Sequence, residues 1–206
     1  MAINLTKGQK IDLTKKDASG ASSQIKSFCV GVNWGVIEKK GFFGTKKVAV
    51  DLDASCAVFN SNNELIDLIF FNQLNSRDGA IQHSGDDLVG DVDGDDGLDN
   101  EIISVDLQRI NPAAEKVVFF LNSFQQQDFA TVPFAAIRLY EGIPVRVDNV
   151  VATYDIATGA EFRGYVSMMM GKLYRRIGEW KFNAIGEPAR DKKIEGTLRT
   201  IVGQYL

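Results

Sequence analysis

Between Gly85 and Glu101 the chain reads Gly-Asp-Asp-Leu-Val-Gly-Asp-Val-Asp-Gly-Asp-Asp-Gly-Leu-Asp-Asn-Glu, a run of eight carboxylates without a basic residue. Two like charges about 4 Å apart repel by roughly 4 kcal/mol at the effective dielectric of a protein surface, so a folded loop of this composition asks for a cation. Oxygen donors, with glycines that let the backbone turn sharply, match Ca²⁺, which accepts roughly six to eight oxygens in flexible geometry. One histidine, His83, and two cysteines, Cys29 and Cys56, are too few nitrogen and sulfur donors for a typical structural zinc site.

Within this run, Asp91, Asp93 and Asp95 occupy the first, third and fifth positions of an EF-hand loop. The pattern then fails: Gly97 falls one place late for the sixth-position turn, Glu101 one place early for the twelfth ligand, and neither flank reads as a helix. The expectation is a calcium loop of another kind, set between strands, with Asp86, Asp87, Asp91, Asp93, Asp95, Asp96 and Glu101 as candidate ligands. Asp51 and Asp53 are either solvent-facing strand residues or a second acidic strand that completes the site. Asn72 and Asp78, on the segment leading to the loop, are further candidates, and His83 is expected as a surface or capping residue. No nucleophile, histidine base or Gly-x-Ser-x-Gly elbow accompanies the carboxylates, and neither a P-loop nor a helix-opening Gly-x-Gly-x-x-Gly occurs. The expected protein is non-enzymatic; the alternative is a phosphoesterase-like, metal-dependent hydrolase whose carboxylates hold two ions.

Strands must position these groups. Residues 47–59 place Val48, Val50, Leu52, Ala54, Cys56 and Val58 on one face and Asp51 and Asp53 side by side on the other. Further strands are predicted over 27–33, 65–71, 102–106, 116–123, 135–140 and 149–155, punctuated by Asn60-Ser-Asn-Asn63, Asp78-Gly79 and Thr158-Gly159. Many short strands without alternating helices predict a mainly β protein, a β-sandwich of two sheets. After Pro188, taken as suited to a helix start, Ile194, Leu198, Ile201, Val202 and Tyr205 recur at helical spacing and predict a C-terminal amphipathic helix. The expected organisation is a sandwich domain over 1–186 and a helix within 187–206 that packs on it or extends it.

At 206 residues and 45% hydrophobic composition the chain can bury a sizeable core. Residues 78–108 hold ten Asp or Glu and no Lys or Arg, which leaves the rest at +6 against a total of −4. The lysine and arginine pairs Lys15-Lys16, Lys39-Lys40, Lys46-Lys47, Arg175-Arg176 and Lys192-Lys193 are scattered in sequence, so nucleic acid is not an expected partner. The start, Met1-Ala-Ile-Asn-Leu-Thr-Lys-Gly8, has no apolar run, and no later stretch has the length of a membrane span. With two cysteines expected as buried thiols, the predicted location is cytoplasmic.

The chain resembles the TerD family of tellurium-resistance and general stress proteins. The resemblance rests on Leu5-Thr-Lys-Gly8, Val50-Asp-Leu-Asp-Ala-Ser55, Phe71-Asn72, Asp78-Gly-Ala-Ile-Gln-His-Ser-Gly-Asp86, Gly94-Asp-Asp96, Ala136-Ile-Arg138 and Gly171-Lys-Leu-Tyr-Arg-Arg-Ile-Gly-Glu-Trp-Lys-Phe182 followed by Ala184-Ile-Gly186, in that order. It implies a calcium-binding β-sandwich in a bacterial cytoplasm and a role in resistance to tellurite and other stress without an established reaction; the loop and the Asp51/Asp53 strand are expected to hold one or two Ca²⁺ ions. By position, the family's acidic motif falls on Asp51, Asp53, Asp86, Asp93, Asp95 and Asp96. The chain departs from the family in the extra Gly97-Leu-Asp-Asn100 before Glu101, where typical members place a glutamate directly after the Asp pair, and in its longer C-terminal helix. Expected partners are the proteins of a stress-response complex; the first expectation is that the loop and the Asp51/Asp53 strand clasp the ion and fix the end of the sandwich, and the second is calcium-dependent docking to a protein complex or a membrane surface.

Overall fold

The computed structural model describes residues 3–4, 9–16, 22–42, 44–155, 159 and 162–206. Two six-stranded sheets form the sandwich. The first holds, in spatial order, β1 (Ile3–Asn4), β14 (Arg146–Asp155), β13 (Ala135–Ile143), β5 (Ser27–Trp34), β11 (Glu101–Asp106) and β10 (Ile81–His83). The second holds β2 (Lys10–Asp12), β16 (Glu179–Ala189), β15 (Ser167–Arg176), β12 (Lys116–Ser123), β8 (Leu52–Phe59) and β9 (Leu65–Ile69). The pair β1–β14 is parallel and the other pairs within these sheets are antiparallel. Two ribbons stand apart, β3 (Thr14–Lys16) with β4 (Ser22–Gln24) and β6 (Ile37–Gly41) with β7 (Gly44–Val48). The helix α1 (Ile194–Gln204) closes the chain.

Alternation explains the main core. Val30 and Val32 of β5, Ile103 of β11 and Ile137 and Leu139 of β13 meet Leu52, Ala54 and Cys56 of β8 and Val117, Phe119 and Leu121 of β12. The run Val117-Val118-Phe119-Phe120-Leu121 is apolar at every position, so β12 must be covered on both faces. Val118 and Phe120, with Ala57, Phe59, Met169 and Ile185, form a second cluster on the outer face of the second sheet, and Ile201 of α1 is buried against them. Ile194, Leu198 and Tyr205 flank that contact, and Asn122 donates from Nδ2 to Thr197 Oγ1 at 2.9 Å near the helix start. Val202, read from its spacing as part of the apolar stripe, is 49% exposed.

Three local expectations change. The strand foreseen over 47–59 is two strands of different sheets, since residues 49–51 leave the β6–β7 ribbon and enter the second sheet. Pro188 does not start the helix. It pairs with Met168 inside β16, at a place where β2, which reaches only Lys181–Asn183, leaves the other side unpaired and no N–H is needed. Strands β15 and β16, among the longest in the protein, were not foreseen from their mixed pattern. The motif at 5–8 and Thr158 of the foreseen Thr158-Gly159 turn lie outside the described residues.

Candidate metal centre

Asp51 precedes β8 and Asp53 lies in it; Val50, Leu52 and Ala54 alternate into the core, so both acids take the opposite face. That face is not open to solvent, since Asp51 is 4% and Asp53 7% exposed. The Asp51 backbone is held by Phe124 N–H on its carbonyl at 3.0 Å and by its own N–H on Gln127 Oε1 at 3.4 Å. Asp86, on the loop after β10, joins them: one carboxylate oxygen of each of the three lies within 4.8 Å of the others. A second group with the same spacing is Asp91, Asp95 and Asp96.

The acidic loop is fastened to the end of β5. Asp91 N–H donates to Trp34 C=O at 2.9 Å, Val36 N–H donates to Asp91 C=O at 3.1 Å, and Val50 N–H donates to Val89 C=O at 2.9 Å. Trp34 is fully buried, with its indole N–H on Val50 C=O at 2.8 Å. Gly90 presses on that ring at φ +78°, where a Cβ would come within 2.6 Å of the indole, so no side chain fits. Within the loop, Asp87 Oδ1 accepts from the N–H of Val89 and Gly90, Asp95 Oδ1 from Gly97 N–H, and Asp96 Oδ1 from Leu98 N–H. These short side-chain-to-backbone bonds are the turn chemistry of Asp and fix the loop path.

The residues between Gly97 and Glu101 build the support. Asn100 Oδ1 accepts from Trp34 N–H at 2.7 Å while its Nδ2 donates to Asp87 Oδ2 at 3.2 Å and Asp91 Oδ1 at 3.1 Å. Asp99, its side chain 3% exposed, makes a two-pronged pair with Arg138, Oδ1 to Nε at 3.2 Å and Oδ2 to Nη2 at 2.8 Å. Burial nevertheless holds its pKa above the ordinary value, against the lowering by Arg138. Asp99 lies over Gly31, where any Cβ would overlap its carboxylate.

Glu101 and His83 close a gap in the second sheet. The β8–β9 ladder begins at Cys56, so Ala54 has no strand on that side. Glu101 Oε2 accepts from Ala54 N–H at 2.7 Å, Oε1 accepts from Asp87 N–H at 3.1 Å, and His83 Nε2 meets Ala54 C=O at 3.0 Å and Glu101 Oε2 at 3.4 Å. His83 Nδ1 accepts from Gly85 N–H, which assigns the proton to Nε2. His83 is thus a buried bridge between the sheets rather than a surface residue, because the open edge of Ala54 leaves its C=O to His83 Nε2 and its N–H to Glu101 Oε2.

Of the eleven residues singled out from the sequence, Asp51, Asp53 and Asp86 form one group and Asp91, Asp95 and Asp96 the other. Asn72 is exposed in the turn after β9, and Asp93, 95% exposed and paired with Lys47 at 2.9 Å, falls in neither group. Asp87 and Glu101 also stand outside the two groups, with the hydrogen bonds given above. Asp78 fastens its own loop, accepting from Ser76 Oγ at 2.6 Å, Ala80 N–H at 2.9 Å and Asn111 N–H at 2.7 Å. Sequence reasoning missed Asn33, Asn100 and Arg138 as supports; the Ala136-Ile-Arg138 motif and the extra residues before Glu101 were the available signals.

The electrostatics of the first group follow from burial and crowding. Burial first, then the charges of Asp86, Glu101 and Asp87, push the Asp51 carboxyl up to about 6. Burial, then Asp51, Glu101 and Asp86, push Asp53 up to about 8. Asp51 Oδ1 is buried without a hydrogen-bond partner among the described residues. In the second group Asn33 donates from Nδ2 to Asp95 Oδ1 at 2.9 Å, and its own Oδ1 is likewise buried and without a partner. Buried acceptors without donors are costly and fit a cation held by oxygens.

A mainly antiparallel sandwich with clustered carboxylates defines the class of the molecule. The chain belongs to the TerD domain family, whose model matches residues 1–205. It is similar to tellurium resistance protein TerZ of Serratia marcescens, 33% identical over 207 residues covering 99% of each chain. It is also similar to stress response protein SCP2 of Bacillus subtilis (strain 168), 33% identical over 218 residues covering 100% of both. Among solved structures, a homologue of telluride resistance protein (TerD) from Streptomyces coelicolor A3(2) shares the fold with a TM-score of 0.63 at 16% identity, over 83% of this chain and 97% of that one. The relatives are named as resistance or stress proteins rather than as enzymes. No helix among the described residues is long and apolar enough to cross a membrane.

Proposed function

We propose that this protein is a non-enzymatic Ca²⁺-binding module that serves resistance to tellurite and general stress as a calcium-dependent interaction scaffold. The observation that carries the reading is the buried, unpartnered Asp51 Oδ1 in a group with Asp53 and Asp86. With oxygens within 4.8 Å of one another, each ionised pair in that group repels by about 3.5 kcal/mol or more at an effective dielectric near 20, and a divalent cation removes the repulsion. Asp51, Asp53 and Asp86 would hold one ion and Asp91, Asp95 and Asp96 a second. The donors are all oxygens, which selects hard cations. The bound ion supplies charge neutralisation and, present at about a hundred times its Kd, about 2.7 kcal/mol of stability.

The cysteines support an indirect role in tellurite resistance. Both are free and buried, and burial pushes the Cys29 thiol up to about 11 and Cys56 further still, so neither is a thiolate at neutral pH. The resistance named for the relatives would then act through protein partners of a stress-response complex in the cytoplasm. A thermal melt of metal-stripped protein with Ca²⁺, Mg²⁺ or chelator, followed by calorimetric titration, tests the reading. A rise with Ca²⁺ alone supports it; no shift, or a preference for Mg²⁺ with phosphoesterase turnover, overturns it.

A further inference from the structure

The two lysine pairs at 39–40 and 46–47, separate in sequence, come together on the β6–β7 ribbon. Ile37 anchors the ribbon in the core, and from Glu38 to Lys47 every residue with a described side chain is exposed. Gly41 pairs with Gly44, and the sequence between them is Phe42-Phe43. Phe42 is 97% exposed. The five residue steps from Ile37 to Phe42 reach about 16 Å at the rise of a strand. Side chains alternate across a ribbon, so Lys39 and its cross-strand partner Lys46 share one face while Lys40 and Lys47 take the other. The basic residues therefore ring the ribbon below an apolar tip.

Stability of the fold does not explain this arrangement. Lys39 and Lys46 are directly opposed like charges, which destabilise a pair of strands. Among the described residues Lys39, Lys40 and Lys46 make no ion pair, and a two-stranded ribbon is marginal by itself. An aromatic tip with a cationic collar is the complement of an anionic bilayer surface, where apolar groups enter the interface and lysines meet the headgroups. Nucleic acid would leave the exposed tip without a counterpart unless it stacked on bases, and the neighbouring carboxylates, joined to the ribbon by the Lys47–Asp93 pair, oppose a polyanion that extends along the protein.

We propose that the β6–β7 ribbon is a membrane-docking element that inserts Phe42 into the interface of an anionic lipid bilayer while Lys39, Lys40 and Lys46 bind its headgroups. The proposal stands apart from the metal reading, because none of these residues belongs to either acidic group. The probe is co-sedimentation with vesicles of phosphatidylcholine alone or mixed with phosphatidylglycerol, in chelator and in Ca²⁺. Partition onto the mixed vesicles in at least one condition, weakened by salt, is expected. Phe42→Ser should lower it about tenfold, from the transfer of one aromatic side chain. Lys39→Glu with Lys46→Glu should lower it about twenty-fold or more, at about fivefold for each lysine lost. Both sites are exposed, so thermal midpoints should not move, and Phe42→Trp should show blue-shifted emission on the mixed vesicles. Equal binding to neutral vesicles, no partition in either condition, or partition that both variants retain overturns the proposal. Duplex DNA or RNA retained through the same residues while vesicles are not would reassign the ribbon to nucleic acid.

Discussion

Replacing Asp53 by Asn keeps the shape of the most perturbed carboxyl group and removes its charge. Its pKa rises from 3.8 to about 8, through burial first and then through Asp51, Glu101 and Asp86. A carboxyl whose folded pKa lies above its unfolded value binds protons more tightly when folded, so stability of the metal-free protein falls as pH rises between the two values. The window runs from about pH 4 to about pH 8. At about 1.4 kcal/mol per unit the whole shift corresponds to about 6 kcal/mol. Much of it is shared repulsion with Asp51 and with the exposed, water-screened Asp86, so the separable part is about 2–4 kcal/mol. Metal-stripped Asp53→Asn should therefore exceed wild type by about 2–4 kcal/mol near pH 9 and match it near pH 4. Urea unfolding across a pH series reads this directly, and added Ca²⁺ should raise the wild-type midpoint more than that of the variant. A variant that is no more stable than wild type at high pH would refute the crowding argument.

Calcium affinity itself should fall as pH drops from about 8 to 6, because Asp51 and Asp53 must lose protons to bind; calorimetric enthalpies that depend on buffer ionisation would show the proton release. Arg138→Ala leaves the Asp99 carboxylate buried and unpaired and should cost about 3–5 kcal/mol in denaturant unfolding, part of which Asp99→Asn in the same chain restores. Ile201→Ala should cost about 2–5 kcal/mol by opening a cavity between α1 and the outer face of the second sheet, seen as a lower thermal midpoint. Gly90→Ala, which needs φ +78° and drives a Cβ into the Trp34 ring, should destabilise by more than about 1 kcal/mol and quench or shift the emission of that tryptophan.

Local pattern determined a good part of this molecule. The strand at 116–123 was read with the bounds it has, and the run Val117–Leu121 says that both of its faces are covered. The spacing of Ile194, Leu198 and Ile201 marks the helix whose stripe covers one of them. The carboxylate run at 86–101 announces a crowded acidic loop, since charge density is a property of composition alone. Alternation set Asp51 and Asp53 on one face, because that relation depends only on the two-residue period of a strand.

What periodicity does not carry is which distant element meets that face. Alternation from Val48 to Val58 runs unbroken through the link at 49–51, so one strand was read where the chain changes sheets. Asp86 joins Asp51 and Asp53 only because β10 and β8 lie on facing sheets, and Glu101 reaches Ala54 across 47 residues because β9 stops short of that edge. The Asp99–Arg138 pair, 39 residues apart, exists because β13 lies beside β5. Burial is likewise a tertiary result: it turns two ordinary strand aspartates into groups titrating near 6 and 8, a change of environment that no neighbour in sequence can supply.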